Sequence, residues 1–135
     1  MSVIVTDTGF GPDDWTGGFS GCDAETTPGV ALDLPSDTPE DQLDAKLMTA
    51  PMLRIAFPSA ADGRGFTLAR LLRLRGYSGR LRAFGHVIAD QYAMARRSGF
   101  DEVEISEDLA ARQPEDQWLF RADWQEHNYQ ARLRG

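Results

Sequence analysis

The sequence predicts an α/β fold: a small, mostly parallel sheet built from consecutive right-handed βαβ units, followed by an aromatic-rich C-terminal tail. Three observations predict it. Short apolar runs of strand length recur every ~20–30 residues, the spacing of a βαβ unit. Between them lie stretches with a helical apolar period, bounded by capping residues. The chain has 135 residues, 41% of them hydrophobic, which is enough for one domain with its own core. Each crossover returns the chain in the same direction, so the strands should run parallel. An open doubly wound sheet and a partial barrel both satisfy the pattern, and the length favours the open sheet.

The elements follow in order. "VIV" (3–5) is a short edge-strand candidate. Residues 11–29, "GPDDWTGGFSGCDAETTPG", are rich in Gly, Pro, Thr and Asp and read as a flexible loop. "GVALDL" (29–34) is the first strand of the repeating pattern. "SDTPEDQLDAKLM" carries a helix start, with Thr38 as N-cap, Pro39 at the first helical position, and Glu40 and Asp41 in the first turn. "MLRIAF" (52–57) is the next strand. Leu68, Leu71 and Leu72 set the helical period after it, and Gly76 closes that helix. "RLRAF" (80–84) is a strand, "HVIADQYAMARRSG" a helix closed by Gly99, and "DEVEI" (101–105) a further strand. Residues 113–135 form a docking tail, in which Trp118, Leu119, Phe120, Trp124 and Tyr129 are too many large apolar groups to leave in water. They pack on this domain or supply a surface for another subunit.

Charge is unevenly spread around the net value of −7. Residues 1–61 hold ten acids against two bases, and residues 101–135 hold nine against four. Residues 62–100 hold only Asp62 and Asp90 against eight arginines. The acidic flanks argue against nucleic acid as a partner and leave room for a small anion. The single cysteine, Cys22, excludes an internal disulfide, a redox pair and a cysteine-ligated cluster within one chain. It has no basic neighbour to activate it. The N-terminus "MSVIVTDTGF" shows no basic region ahead of a long apolar run, and no apolar stretch approaches the ~20 residues of a membrane span. A cytoplasmic location away from membranes is expected.

In parallel α/β sheets, ligands gather beyond the carboxyl ends of the strands. The strand assignments put Pro58 to Gly65, Gly85 with His86, and Ser106 with Glu107 at that end. Arg70, Arg73, Arg75, Arg96 and Arg97 lie in helix bodies or last turns, where cations suit the dipole, and are read as structural or solvated. Arg64 sits just before a helix start and opposes the dipole. An anion held between its guanidinium and the helix amides would reverse that penalty, with Gly63 and Gly65 letting backbone approach. A salt bridge to Asp62 would reverse it as well. Gly63 and Gly65 fit the dinucleotide fingerprint, but Leu68 takes its third glycine position and no acid ends the next strand, so a standard Rossmann site is rejected. No P-loop is present.

His86 and Asp90 stand four apart near a helix start. They form a base with its orienting carboxylate, or two metal ligands with His127 as a third, or a cap with an i,i+4 contact. Two ligands make no metal site, so no metal is assigned. Gln91 falls among Val87, Ile88, Tyr92, Met94 and Ala95, and a buried amide there needs partners, either backbone or a ligand. The candidate ligand-binding set is therefore Asp62, Gly63, Arg64, Gly65 and Gln91. The candidate proton-transfer pair is Asp90 and His86.

Phe57-Pro58, Asp62 to Phe66, Ala69 to Arg73, Gly76 to Gly79, Leu81 to Ala83, Asp90-Gln91 and Gly99 to Asp101 form one combined pattern, with Tyr129-Gln130 near the end. In it, residues 57–105 resemble a family of small, largely uncharacterised bacterial proteins described as oxidoreductases involved in sulfite reduction. The resemblance implies a role beside assimilatory sulfite reductase, with that enzyme or another sulfur-assimilation protein as partner. It brings no established catalytic residue and no cofactor. Reducing sulfite to sulfide takes several electrons, and one cysteine without a nucleotide fingerprint gives no visible means of carrying them. The leading expectation is an accessory protein that binds a small oxyanion or nucleotide phosphate at the Asp62–Gly65 loop. The alternative is an oxidoreductase or other enzyme acting on a sulfur oxyanion, with Arg64 as anion clamp and Asp90 and His86 moving protons. Either is compatible with an oligomer.

Overall fold

The computed structural model describes residues 2–21, 30–43 and 45–122. In chain order the elements are β1 (Ser2–Thr6), β2 (Gly9–Gly11), β3 (Phe19–Gly21), β4 (Ala31–Leu34), α1 (Ala45–Met48), β5 (Met52–Phe57), α2 (Arg64–Leu74), β6 (Arg80–Gly85), α3 (Tyr92–Ser98), β7 (Glu102–Ser106), α4 (Glu107–Arg112) and α5 (Glu115–Leu119). The strands form one open sheet in the order β2-β1-β7-β6-β5-β4-β3. Strands β3 to β7 are parallel and lie in chain order, while β1 and β2 extend the sheet antiparallel beside β7. The sheet is mostly parallel and is not closed into a barrel.

Chain order without a reversal has a consequence. Right-handed crossovers that all step the same way place their helices on one face. One apolar cluster accordingly gathers Leu32, Leu34, Leu53, Ile55, Phe57, Leu81, Ala83, Val103 and Ile105 from the strands with Leu47, Leu68, Ala69, Leu72, Tyr92, Ala95 and Leu109 from the helices. Every second strand residue points the other way. Those positions hold Asp33, Arg54, Ala56, Arg80, Arg82, Phe84, Glu102 and Glu104. The second face is thus largely charged and, among the described residues, carries no helix.

Several local expectations change in the folded chain. The "VIV" strand is β1, which is internal to the sheet, with β2 on one side and β7 on the other. The loop 11–29 contains β3, paired with β4, and Cys22 lies outside the described residues. No extended helix follows Thr38: a 3-10 turn at Glu40–Gln42 precedes the short α1. The Thr38 hydroxyl donates to the carbonyl of Pro35 (2.6 Å) and caps nothing. The helix expected from His86 begins at Tyr92, after a 3-10 turn at Ala89–Gln91, so His86 lies outside it. Ile88 is extended at the entry to that turn, which stops the helix from reaching back.

At the amino-end rim Arg73 accounts for much of the shared sequence pattern. Its Nε and Nη2 donate to the Gly99 carbonyl (3.0 and 2.9 Å), and its Nη1 donates to the carbonyls of Tyr77 and Gly79 (2.9 and 2.8 Å). Asp101 pairs with Arg73 at 3.1 Å and also accepts from the Leu81 amide (2.9 Å). Gly-Tyr-x-Gly and Gly-Phe-Asp therefore meet through one guanidinium. In the tail, Trp118 is buried between Phe10 and Tyr92, and its Nε1 donates to the Gln113 carbonyl (2.9 Å). Leu119 and Phe120 remain exposed. Trp124, His127, Tyr129 and Gln130 lie outside the described residues.

Gly65 marks a tight approach of α2 to β5. A Cβ there would stand 2.5 Å from the Phe57 ring, whereas one on Gly63 would meet nothing nearer than 4.0 Å. Gly65→Ala is expected to lower unfolding stability by about 1–3 kcal/mol through overpacking. Gly63→Ala is expected to change it by about 1 kcal/mol or less. Urea unfolding of the two variants measures the contrast.

Candidate functional site

Two arginines face each other across the helix-free side of the sheet, because Arg54 of β5 and Arg82 of β6 are in register. Like charges opposite one another repel. Their neighbours in the same row are Asp33 of β4 and Glu102 of β7. Asp33 takes Arg54 in a two-pronged pair (2.6 and 3.0 Å), and Glu102 accepts from Arg82 Nε at 2.5 Å. Glu104 Oε1 joins the two cations, 3.1 Å from Arg54 Nη1 and 2.9 Å from Arg82 Nη1. Arg80 shares Glu102 (2.8 and 2.9 Å).

The connection between β2 and β3, together with Phe19 at the start of β3, then closes over this row. Asp13 takes Arg82 at 3.0 and 3.1 Å, Asp14 takes Arg80 at 2.5 Å, and the Phe19 ring lies 3.6 Å from the Arg54 guanidinium carbon. Arg82 is wholly buried, and among the described residues no buried polar side-chain atom lacks a partner. Burial alone would lower the Arg82 pKa, but its carboxylates hold it above the ordinary value. Burial opposes ionisation of Asp13 too, yet the bonds from Arg82 leave its pKa below the ordinary value. The face is a paired electrostatic layer in which each of the three guanidinium groups meets at least two carboxylates.

Space for a ligand lies where this layer ends, toward the carboxyl ends of the strands. One hollow of about 480 Å³ is lined by Ser2, Ala56, Phe57, Phe84, His86 and Ser106 among others. A second, of about 660 Å³, is lined by Asp33, Leu34, Pro35, Gln42, Arg54 and, again, Ala56 and Phe84. Phe84 divides them, stacked by Arg54 at 4.5 Å on one side and 37% exposed overall. Gly85 follows with φ of +118°, and a Cβ there would strike the Phe57 carbonyl at 2.6 Å. That left-handed residue lets the chain leave β6 and present His86 at the mouth.

The residues picked out by sequence fall into three places. Asp62 and Arg64 form one. The Asp62 carboxylate accepts from Arg64 Nε and Nη2 (3.0 and 2.9 Å), from the Arg64 backbone amide (3.1 Å) and from the Ser36 hydroxyl (2.9 Å). Asp62 thus answers both the guanidinium and the start of α2. The Arg64 guanidinium and these bonds hold its carboxyl far below the usual carboxylate range. Arg64 remains 61% exposed over a cleft whose lining includes Asp37 and Glu40. Gly63 caps α2 without a side chain, and Gly65 is buried against Phe57.

Gln91 is the second place. Its Nε2 donates to the Ala60 carbonyl (2.8 Å) and its Oε1 accepts from the Ile88 amide (3.1 Å), so it fastens the loop after β5 to the loop after β6. Of the two partners the sequence left open, the amide has backbone. Asp90 and His86 do not form a pair. Asp90 is exposed and ion-paired with Arg121 at 2.5 Å, while His86 lies between two hollows with no partner for its imidazole among the described residues. Also among the described residues, no group of three or more His, Cys, Asp and Glu side chains could hold a metal.

Residues 29–135 match a family described as "Bacterial protein of unknown function (DUF934)". The chain belongs to this family. No curated protein and no solved structure matches it. The match includes β4 to β7, which supply most of the lining of both hollows, while Ser2 of β1 and Gly21 of β3 lie outside it. Among the described residues, no helix is long and apolar enough to cross a membrane.

The sequence reading passed over Arg54, Arg80, Arg82, Glu102 and Glu104, and with them Phe84. A signal was present. Parallel strands covered on both faces read as continuous apolar runs, yet "MLRIAF", "RLRAF" and "DEVEI" put charge at alternate positions.

Two outcomes follow for stability. Arg82→Leu should take one of two cations from each of the buried Glu102 and Glu104, leaving Arg80 and Arg54 to hold them, and is expected to cost up to about 3–5 kcal/mol in chemical denaturation at neutral pH. Asp13, Asp14 and Asp62 have folded pKa values below the ordinary 3.8. Their contribution is therefore complete above that value and lost as pH falls through their folded values. Asp62→Asn is expected to show a shallower loss of stability below about pH 4 than the parent, measured by urea unfolding across the acid range.

Proposed function

We propose that this protein is an accessory binding component of assimilatory sulfite reduction rather than its electron carrier. The pathway rests on the sequence pattern between Phe57 and Asp101. Sulfite reductase or another sulfur-assimilation protein is its proposed partner. The ligand is a nucleotide-type anion, seated beside Phe84 at the carboxyl ends of β5 and β6. One observation carries this reading: two hollows of about 480 and 660 Å³ meet at Ala56 and Phe84. Each has the size of an organic ligand site, about 300–1,000 Å³, and exceeds what a bare oxyanion fills. The half-exposed Phe84 ring supplies a flat apolar surface, and Ser2, Ser106 and His86 supply polar groups around it.

The Asp62–Gly65 loop is the less favoured seat for this ligand. Its guanidinium is matched by Asp62, and Asp37 and Glu40 line the same cleft, so an incoming anion meets more negative than positive charge. The enzyme reading with Asp90 and His86 as a proton-transfer pair has less support, because Asp90 is engaged by Arg121.

A thermal-shift screen of sulfite, sulfate, adenylyl sulfates, flavins and nicotinamides tests the reading. An adenylyl sulfate is expected to raise Tm by several degrees at about 100 times its Kd. Phe84→Ala should remove most of the shift and Arg64→Ala should preserve it. No shift with any compound overturns the proposal. Loss in Arg64→Ala with retention in Phe84→Ala moves the ligand to the Asp62–Gly65 loop.

A further inference from the structure

A third hollow, of about 390 Å³, lies across His86 from the Phe84 ring. It is lined by Pro58, Ser59 and Ala60 from the loop after β5, His86 and Ile88 from the loop after β6, and Leu109, Arg112 and Gln113 at the end of α4. Among the described residues no carboxylate lines it. This is the reverse of the cleft under Arg64, where Asp37 and Glu40 share the wall. It is also the reverse of the helix-free face, where Arg54, Arg80 and Arg82 are each met by at least one acid.

The donors here are uncommitted. Arg112 is exposed and takes part in no ion pair or hydrogen bond among the described residues, Asp108 one turn earlier included. The imidazole of His86 and the hydroxyl of Ser59 are likewise without partners. Gln113 spends its Oε1 on the Ala89 amide (2.6 Å), which fixes the side chain and leaves its amide nitrogen free to donate. Four donors of different kinds therefore surround one space that offers no opposing charge. Gln91 steadies the two loops behind it by tying Ala60 to Ile88, so the lining does not depend on a ligand for its shape.

We propose that Ser59, His86, Arg112 and Gln113 form an oxyanion site, which takes a sulfate or phosphate group, free or carried as an ester. A guanidinium with neighbouring neutral donors is the chemistry that recognises such groups, since charge-assisted hydrogen bonds to the oxygens outweigh their cost of desolvation. An imidazole adds a donor and, when protonated, a second charge. The space exceeds one tetrahedral anion and so admits the atom that an ester adds. This inference rests on its own residues and not on the ligand seat at Phe84, although the two share His86 on the ridge between them.

Isothermal titration with inorganic sulfate, inorganic phosphate and adenosine monophosphate tests it on the full chain. The parent is expected to bind at least one of the three. Arg112→Gln should weaken that binding about tenfold or more, because one charge-assisted contact is lost, and His86→Gln should weaken it several-fold. Phe84→Ala should leave the affinity for the inorganic anions unchanged, which separates a failure of this site from a failure of the Phe84 seat. Tight binding of the inorganic anions identifies a free oxyanion as the ligand, and preference for the monophosphate identifies an ester. Circular dichroism of each variant checks folding; Arg112 is exposed and unpartnered, so its replacement should leave the spectrum and Tm unchanged. Absence of binding of all three anions by the parent, or parental affinity in Arg112→Gln, overturns the inference.

Discussion

Arg54 and Arg82 sit side by side on neighbouring parallel strands, about 4.8 Å apart in backbone terms, and this repulsion has to be answered before the second face of the sheet can close. Glu104 answers it by accepting from both guanidinium groups with one oxygen. Asp33 and Glu102 flank the row, so that the charges run negative, positive, positive, negative across four strands. The segment between β2 and β3 adds Asp13 and Asp14, and β3 adds the Phe19 ring. Replacing both members of a buried pair by apolar groups is often harmless, whereas removing one is not. The row therefore behaves as a unit, and it ties the N-terminal strands to the parallel strands without a helix.

That closure decides where a ligand can go. The middle of the face is occupied by the protein's own carboxylates, and its helical side is filled by leucine and aromatic side chains. What remains is the rim beyond the carboxyl ends. Three guanidinium groups stand near it, and their surroundings differ. Arg54 is consumed by Asp33 and Glu104. Arg64 is offset by Asp62, which also accepts from the backbone amide at the start of α2. A cation at a helix start is unfavourable, and placing a carboxylate against both removes the conflict without any ligand. Arg112, in the last turn of α4, suits its helix dipole and has no carboxylate partner among the described residues.

The fold was largely legible because β4 to β7 carry apolar residues at alternate positions and α2 has a clear apolar period. Leu53, Ile55 and Phe57, then Leu81 and Ala83, then Val103 and Ile105 are found on the core face. The pattern around Arg73 was legible as a motif but not as a mechanism, because the meeting of Gly79 with Gly99 depends on strand pairing. The candidate site was harder to read. Arg64 and Asp62 were placed correctly at the rim, but which charge neutralises which is decided by distances of about 3 Å that spacing along a chain does not encode. Gln91 and Asp90 are adjacent in sequence and face different partners, the Ala60 carbonyl and Arg121; His86 and Asp90, four apart, do not share a helical face, because Ile88 is extended and Ala89–Gln91 form a 3-10 turn. Arg112 had no local signal, since an arginine in a last helical turn is ordinary.

A doubly wound sheet gains its ligand crevice where the strand order reverses and adjacent crossovers part to opposite faces. Here the order β3 to β7 is unbroken, so the rim has no such parting. Its hollows arise instead from a mismatch of side-chain size. Ala56 and Phe84 are partners in register, the smallest common side chain beside one of the largest. Phe84 cannot lie flat over Ala56 while Arg54 holds its ring, so it stands as a partition with open volume on each side. The next residue, Gly85, then turns in the left-handed region against the Phe57 carbonyl and sets His86 between the apolar hollow and the basic one. The layout of the rim is therefore a product of the charged row beneath it: Arg54 orients the partition, and the partition defines the spaces that His86 and Arg112 border.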